Sequence, residues 1–525
     1  MISTRGRDFD IILVSGEPYV DHPLSGAAVI ARALDAAGYK IGVLGRPDWK
    51  QDADFLKLGR PRLYFGITSG SMDSLLVNYT PLKRDRARDP NAPYVSGVPD
   101  RAVLVYANKI KHLYPGAKIV LGGIEASLRR FAHYDYWENT VRRSLLLDSR
   151  ADVLVYGPGE KQAVEIARRL DKGEDLLGAP GTCTVRRELP AGFEVISSFE
   201  EVSRDAAKFA AAQRLFSTRR RLAQAHGGRF VLQYPLPEYT TADLDWIYGL
   251  PFSRRVPPDF PEFALTRFSV VTHRGCFGDC SFCSLTLHQG DRVVSRSEES
   301  ILEEIRRLTR HPEFKGTIDD LGGPTANMYG MDCPKPCPEG RCLSCRKLDR
   351  THSRLISLMK KARAVPGVRK VFVRSGIRYD LAMESPEYLR EICAHHVSGR
   401  LKIAPEHVSP NVLRLMNKGP DRSEEFHRLF NAFSWGKRQQ VKGYYMVAHP
   451  GTSDEEAREL ARHLQKLERR GESPVEGVQI FTPTPMTRST CMYHTGTDPL
   501  TGEQVYVPRT FAEKKAQKRM LIGPR

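Results

Sequence analysis

The chain has 525 residues, with 80 lysines and arginines against 62 aspartates and glutamates and a formal net charge of +18. This length is too great for one compact core, so two or three domains are expected. Hydrophobic residues make up 41% and charged residues 27%, as in a soluble globular protein, and the sequence has no apolar run long enough to span a membrane. The first ten residues are polar rather than a secretion signal, so a cytoplasmic location is expected.

The excess of basic residues would attract polyanions, so RNA is kept as an alternative partner. The densest basic runs are 219–221 and the stretch around Lys514, Lys515 and Lys518. Arginine is otherwise spread along the chain and does not define one basic stripe. The charge therefore leaves two interpretations open, a polyanion-binding surface and a merely soluble one.

Residues 1–170 alternate short apolar runs with stretches of helical periodicity. This alternation is typical of a doubly wound, Rossmann-like α/β domain, with the strand order of either the Rossmann or the flavodoxin fold. Loops rich in glycine and serine follow the runs, and ligands of such folds bind at these carboxyl ends of the strands. The predicted strands are 9–14, 40–44, 62–67, 118–121 and 153–156.

Residues 171–260 are less regular and are predicted to connect two domains. One long helix is expected over 203–225, and a stretch rich in proline and turn residues follows at 235–261.

A second α/β series occupies residues 261–490. Six apolar runs separated by helical stretches predict a partial, open (β/α)6 relative of the eight-stranded barrel, in which chemistry occurs at the carboxyl ends of the strands. A cysteine-rich insertion lies at 331–346, and a C-terminal extension covers 491–525. The predicted strands are 266–271, 316–321, 370–373, 400–404, 442–447 and 477–481. The predicted helices are 297–309, 354–364, 386–395, 423–435 and 454–469.

Three cysteines follow the first strand of this series. Cys276, Cys280 and Cys283 have the spacing C-x3-C-x2-C, with Gly275 and Gly278 giving the loop freedom to wrap closely. Three thiolates can hold three irons of a 4Fe-4S cubane and leave the fourth iron open to S-adenosylmethionine (SAM). A ferredoxin-type carrier would supply four thiolates, and a zinc site would usually pair its ligands in two knuckles. The spacing therefore indicates a radical SAM enzyme.

Four further cysteines form a second group with proline between them. Cys333, Cys337, Cys342 and Cys345 have the spacing C-x3-C-x4-C-x2-C. Disulfides are not expected in a reducing compartment, so a bound metal is predicted. A structural zinc ion and an auxiliary iron–sulfur cluster stay open as the identity of that metal, and four free thiols are the alternative to a metal site.

Long stretches of the chain resemble the YgiQ-type radical SAM proteins, an uncharacterised family with a cobalamin-binding-like N-terminal domain. The resemblance covers most of the sequence and is carried by these segments: ILVSGEPYVDHPLSGAAVIARALDAAGYK, RGCFGDCSFCSLTLHQG, DDLGGPTANMYGMDC, VRSGIRYD, LKIAPEHVSP, GYYMVAHPGTSDEE and VQIFTPTPMTRSTCMYHTG. It implies a 4Fe-4S cluster, SAM and a reducing partner such as a flavodoxin or ferredoxin.

Similarity to radical SAM enzymes also implies a set of SAM contacts. Gly322 and Gly323 would bind the SAM amino group through backbone carbonyls. Pro324 stands where many relatives have an acidic residue, so only backbone contact carries over. Residue type and position supply the other candidates: Phe282 beside the adenine, Arg374, Ser375 and Arg378 after the third strand for the SAM carboxylate or ribose, and Glu406 with His407 after the fourth for the ribose or substrate. A purely structural hydrogen-bonding role stays open for Glu406 and His407.

The N-terminal domain is similar to the cobalamin-binding domain of one radical SAM class. The usual D-x-H-x-x-G motif is absent, because Asp21 directly precedes His22 and Gly26 follows four residues later. This departure argues against His22 as a lower axial ligand. Cobalamin, another ligand and a vestigial domain all stay open.

The predicted function is reductive cleavage of SAM to act on an unidentified substrate, with methyl or methylthio transfer as the neighbouring chemistries. The alternative is an RNA-binding iron–sulfur protein without radical catalysis.

Overall fold

A computed structural model describes residues 2–88, 97–333, 342–472 and 474–522. The chain divides into two compact units. Unit 1 comprises residues 1–238, 250–255 and 482–503, and unit 2 comprises 239–249, 256–481 and 504–525. Within the described ranges, no helix is both long and apolar enough to cross a membrane. Elements are numbered along the chain.

Among its described residues, unit 1 contains one ten-stranded sheet and a separate two-stranded one. Its strands are β1 (Ile2–Ser3), β2 (Ile11–Ser15), β3 (Ile41–Gly45), β4 (Tyr64–Thr68), β5 (Ile119–Leu121), β6 (His133–Asp135), β7 (Thr140–Arg142), β8 (Val153–Val155), β9 (Thr182–Arg186), β10 (Glu194–Ile196), β11 (Leu222–His226) and β12 (Arg229–Gln233). Its helices are α1 (Gly26–Ala36), α2 (Asp52–Leu56), α3 (Ser74–Asn78), α4 (Ala102–Leu113), α5 (Gly123–Ser127), α6 (Leu145–Asp148), α7 (Glu160–Asp171), α8 (Phe199–Val202), α9 (Ala206–Leu215) and, from the later segment, α19 (Arg488–Thr495).

The first half of the sheet is parallel. Within the described ranges the strand order is β1-β3-β2-β4-β5-β8-β9-β12-β11-β10, and each pair from β1 to β8 is parallel. The strands of this half are continuous apolar runs, because both faces of a parallel sheet are normally buried. Ile11 and Val153 from the sheet pack with Leu34 of α1 and Ile166 of α7 in one buried cluster.

The second half of the sheet corrects the expected connector at 171–260. Strands β9, β11 and β12 add to β8 by antiparallel pairing. The helix expected over 203–225 begins under an Asp205 cap and ends at Leu215, because strand β11 starts at Leu222. Gly227 and Gly228, both at positive φ, then turn β11 into β12. Two glycines at a two-residue turn are a hairpin signal, and they outweigh the helical periodicity.

Unit 2 alternates parallel strands with helices. Its strands are β13 (Ser269–Val271), β14 (His273–Arg274), β15 (Val294–Ser295), β16 (Thr317–Ile318), β17 (Asp320–Gly322), β18 (Lys370–Val371), β19 (Arg400–Glu406), β20 (Gln440–Val447) and β21 (Val475–Ile480). Its helices are α10 (Thr241–Gly249), α11 (Leu285–Gln289), α12 (Glu298–Thr309), α13 (Ser353–Ala364), α14 (Tyr379–Met383), α15 (Pro386–His395), α16 (Pro410–Leu415), α17 (Ser423–Phe433), α18 (Asp454–Arg469) and α20 (Phe511–Ile522).

Most strands of unit 2 pair in parallel, and the short strands β14 and β15 form a separate antiparallel pair. β13 pairs in parallel with β17, β16 with β18, and β19 with β20, which pairs with β21. A parallel bridge joins Ile377 to Ile403. The helices cover this series, and Ile305, Met359 and Ile392 pack on Val371 and other strand residues.

The units do not follow the predicted boundaries at 170, 260 and 490. Strands after residue 170 belong to the sheet of unit 1, so that boundary falls inside one hydrogen-bonded structure. Residues 482–503 also belong to unit 1, where α19 packs on α9, while residues 504–525 belong to unit 2.

Candidate functional site

The three-cysteine loop begins at the carboxyl end of β13. Gly275 has φ +79°, and a Cβ placed there would lie 1.8 Å from the Arg292 carbonyl oxygen. The far side of the loop is tied to the end of α16, where the Ser281 N–H donates to the Met416 carbonyl over 2.9 Å. The Asn417 side chain donates to the Asp279 carbonyl over 2.7 Å. The loop is therefore fixed at both ends.

The thiols of this loop lie close to one another. A Cβ at Gly278 would be 3.3 Å from the Cys276 sulfur and 3.9 Å from the Cys280 sulfur. Burial, together with the other two thiols and Glu406, raises the pKa of Cys283 to about 12. Across the described residues, no three His, Cys, Asp or Glu side chains converge as they would around a single metal ion.

Two polar groups face the triad. The Thr325 hydroxyl lies 3.4 Å from the Cys276 sulfur. An Arg378 guanidinium nitrogen would be 2.8 Å from a Cβ at Gly278, so this side chain lies against the loop. Burial opposes the charge of Arg378, but Asp380 and the thiols of Cys280 and Cys276 outweigh burial and raise its pKa. A cation at this position would stabilise thiolates or an anionic cluster.

The structure separates Arg378 from the other predicted residues after the third strand. The Arg374 side chain is 45% exposed and lies 3.9 Å from Asp319. The Ser375 hydroxyl donates to Asp320, which also accepts from the Arg374 N–H. Arg374 and Ser375 are thus engaged within the chain, and their contact with SAM stays a prediction.

Gly322 ends β17 and Gly323 follows it, and close packing leaves no room for a side chain at Gly323. The Gly322 carbonyl accepts from the Thr272 N–H over 2.8 Å, so it is already used within the chain. A Cβ at Gly323 would lie 2.5 Å from the ring of His273, which is fully buried. Burial lowers the pKa of His273 to about 4. A neutral imidazole therefore backs the predicted SAM-binding turn.

Two further polar residues, Glu406 and His407, lie at the carboxyl end of β19. Glu406 is buried at φ +69°, and burial raises its pKa, offset in part by Lys418. Burial lowers the pKa of the neighbouring His407 to about 4. Its Nδ1 accepts from the Ser409 N–H over 3.1 Å, so the proton of the neutral ring is on Nε2. That Nε2 has no hydrogen-bond partner among the described residues.

The loop after β20 adds a residue that received no role from the sequence. His449 is fully buried, and its ring centroid lies 6.3 Å from that of Phe282 and 5.1 Å from that of Phe481. Burial lowers its pKa to about 3. The signal was present, because His449 follows a predicted strand in the same way as Glu406 and His407. Thr325 had no comparable sequence signal.

The second cysteine group is described only in part. Cys337 lies outside the described residues. Cys342 packs in one small apolar cluster with Cys276, so this segment reaches the triad loop. The Cys345 N–H donates to the Cys342 carbonyl over 3.1 Å. A metal at this group stays a prediction.

His22 in unit 1 is engaged on both ring nitrogens. Its Nδ1 accepts from the Leu24 N–H over 3.0 Å, and its Nε2 lies 3.1 Å from the Arg254 guanidinium. Asp21 pairs with Arg32 and accepts from the Ser253 N–H. This arrangement fastens residues 250–255 to unit 1 and does not suit a lower axial ligand of cobalamin.

Matches to known families cover nearly all of the chain. Residues 1–272 match the Radical SAM N-terminal family, residues 270–464 the Radical SAM superfamily, and residues 476–522 a Domain of unknown function (DUF3362). The protein is therefore an enzyme of the radical SAM superfamily whose substrate is unknown.

Full-length relatives identify the family. A UPF0313 protein of Methanocella arvoryzae is 45% identical over 98% of this chain and 90% of the relative. A UPF0313 protein of Geobacter sulfurreducens is 45% identical over 99% of this chain and 90% of the relative. The chain belongs to the UPF0313 family, which confirms the resemblance to YgiQ-type proteins.

Solved structures show the same fold at low sequence identity. The radical SAM methyltransferase TsrM from Kitasatospora setae, described with cobalamin and a [4Fe-4S] cluster bound, is 18% identical over 99% of this chain and 82% of TsrM, with a TM-score of 0.56. The cobalamin-dependent SAM radical enzyme OxsB is 13% identical over 92% of this chain and 55% of OxsB, with a TM-score of 0.51. These likenesses establish an α/β fold of the kind found in cobalamin-dependent radical SAM enzymes.

Proposed function

We propose that Cys276, Cys280 and Cys283 hold a 4Fe-4S cluster with which this enzyme cleaves SAM reductively. The observation that carries the proposal is the fixed loop of three thiols with Arg378 against it. When bound, such a cluster would supply the electron that converts SAM into methionine and a 5′-deoxyadenosyl radical. A flavodoxin or ferredoxin is the proposed source of that electron.

Each unit has a proposed architecture. In unit 2, the parallel pairs β13–β17, β16–β18, β19–β20 and β20–β21 are proposed to belong to one open (β/α)6 barrel with the thiols at its carboxyl end. In unit 1, the order β3-β2-β4-β5-β8 supports a doubly wound sheet of flavodoxin type.

Residues around the triad have distinct proposed roles. Arg378 offsets the negative charge of the thiolates, and Thr325 donates to the Cys276 sulfur. Gly322 and Gly323 let the SAM amino group approach the backbone, with His273 behind them. His407 donates from its buried Nε2 to an oxygen of SAM or substrate, because a buried N–H without an acceptor is costly.

Methyl transfer is the second candidate, and the likeness to TsrM over 99% of this chain favours it. His22 does not serve such a reaction, because both of its ring nitrogens are engaged.

The decisive experiment is anaerobic incubation of reconstituted protein with SAM and dithionite, scored for 5′-deoxyadenosine. The wild type should form it, and Cys280→Ala should not. Cys393→Ala is the matched control, since Cys393 is a buried thiol of unit 2 outside the triad loop. Formation of 5′-deoxyadenosine by the Cys280→Ala protein would refute the proposed cluster ligand, and none from the wild type would refute SAM cleavage.

A further inference from the structure

The C-terminal segment 504–522 of unit 2 ends in α20, which contacts α18, β20 and β21. Gln517 of this helix is 0% exposed. Its Oε1 accepts from the Ala448 N–H over 2.9 Å, and its Nε2 donates to the Thr452 carbonyl over 2.8 Å. One buried amide therefore binds both ends of the turn at 448–452.

This turn needs an external restraint. Ala448 has φ +60°, a backbone conformation that is unfavourable for a residue with a Cβ. The Gly451 N–H donates to the Tyr506 carbonyl over 2.7 Å, so the same C-terminal segment makes a third bond to the turn. Strain of this kind persists only where surrounding contacts hold it.

The restrained turn carries His449 at its centre. That ring lies beside Phe282, the residue directly before Cys283, and beside Phe481 at the end of β21. Its Nδ1 lies 2.7 Å from the Pro450 carbonyl, so the ring orientation follows the backbone of the turn. A shift of the turn would move His449 relative to the cysteine loop.

Burial of Gln517 is informative about what α20 does. Burying an amide is unfavourable unless it is hydrogen-bonded, and here the two backbone groups of the turn supply both bonds. An apolar residue would pack α20 against the strands without this requirement. The glutamine therefore adds a specific link between the helix and the turn rather than general cohesion.

We propose that the segment 504–522 is a working part of the radical SAM site, with Gln517 as a positioning residue that fixes the 448–452 turn and so holds His449 beside Phe282. The proposal rests on the proposed function, because the turn matters only if SAM reacts next to the cysteine loop. It assigns a role to the part of the chain that matches a domain of unknown function.

The first test needs neither cluster nor SAM. Amide hydrogen exchange of peptide 446–453 should be about tenfold faster in Gln517→Met than in the wild type, because the Ala448 N–H loses its acceptor. Arg519→Met changes an exposed residue of the same helix and should leave exchange unchanged. Gln517→Asn keeps the amide but shortens its reach, and replaces the methionine variant if that protein does not fold.

Two further readouts separate positioning from general stability. The reconstituted Gln517→Met enzyme should keep its iron content while its KM for SAM rises by about tenfold. Adding Ala448→Gly, which removes the cost of the positive φ, should restore part of that loss. Wild-type exchange in both Gln517 variants would overturn the link between helix and turn, and an unchanged KM would overturn its role in the site. A wild type that forms no 5′-deoxyadenosine would defeat the proposed function, and the exchange result would still decide the link.

Discussion

The three-cysteine loop needs a glycine where a Cβ atom would not fit. At Gly275 a methyl group would meet the Arg292 carbonyl at 1.8 Å, while Gly290, also at positive φ, has nothing within 4 Å of the same position. The two glycines share an unfavourable backbone angle and differ in the space around them. Substituting each by alanine therefore separates backbone strain from steric exclusion.

Gly275→Ala should bind markedly less iron than the wild type, because the loop must move away from Arg292. Gly290→Ala should lose about 1 kcal/mol of stability and keep its iron, since only the backbone angle is strained. Iron per chain after reconstitution, together with thermal unfolding, checks both. Equal iron contents in the two variants would show that the close contact at Gly275 does not shape the loop.

The Thr325 hydroxyl beside the Cys276 sulfur offers a way to tune a cluster without removing a ligand. Hydrogen bonds to cluster sulfurs stabilise the more negative, reduced state. Thr325→Val should lower the reduction potential by on the order of 40 mV, the one-electron equivalent of about 1 kcal/mol. Thr325→Ser keeps the hydroxyl and should stay near the wild type in a redox titration followed by electron paramagnetic resonance.

At the scale of elements, helices and strands with strong periodicity were predictable. Helix α18 was expected over 454–469 and occupies Asp454–Arg469, because Ser453 and Glu456 form a capping box and Leu460, Leu464 and Leu467 share one face. The structure after residue 203 was not predictable, because the alanine-rich helical pattern continues into the segment that forms strand β11. Long-range pairing with β12 decides that segment, and local periodicity does not contain it.

The sequence predicted which strand ends carry the site residues, but not which of their side chains lie against the thiols. Arg374, Ser375 and Arg378 all follow the third strand, and only the irregular path after β18 brings Arg378 to the thiols while Ser375 bonds to Asp320. Residue type and position could not separate them. His449 was equally accessible to the reasoning that selected His407, whereas the partnership of Gln517 with Ala448 joins residues far apart in sequence.

One buried carboxylate in unit 1 binds the first turns of both α3 and α4, so replacing it tests how much these contacts stabilise the fold. Glu125 of α5 accepts from the N–H and hydroxyl groups of Ser74 and from the Val103 N–H. Burial raises its pKa, yet each of these neighbours donates, so the carboxylate is the form that the contacts require. Glutamine would turn an N–H donor toward another donor.

Glu125→Gln should therefore lower the free energy of unfolding by about 2–3 kcal/mol. Glu165→Gln is the control, because Glu165 pairs with Arg168 and Arg169 at the surface of α7 and should cost less than about 1 kcal/mol. Urea unfolding followed by circular dichroism measures both. Equal losses would mean that the buried contacts of Glu125 contribute no more than a surface pair.

At the scale of the whole molecule, the net charge is +18, and part of the positive charge in the two basic runs is buried or paired. Lys514 is fully buried and so does not contribute a surface charge to the C-terminal run. Arg220, in the other run, lies 3.0 Å from Glu194. The two densest stretches are thus weaker polyanion sites than their sequences indicate, which favours the enzyme over the RNA-binding alternative.

RNA binding should accordingly be weak, unspecific and independent of the triad. Fluorescence anisotropy with a labelled oligouridine should show affinity that falls steeply with salt, by about three hundredfold between roughly 50 and 200 mM if six phosphates are neutralised. The protein with Cys276, Cys280 and Cys283 all changed to alanine should give the same curve, while it loses 5′-deoxyadenosine formation. Tight, salt-resistant binding of one RNA by both proteins, with no SAM cleavage by the wild type, would instead make RNA recognition the function and leave the cysteines a structural role.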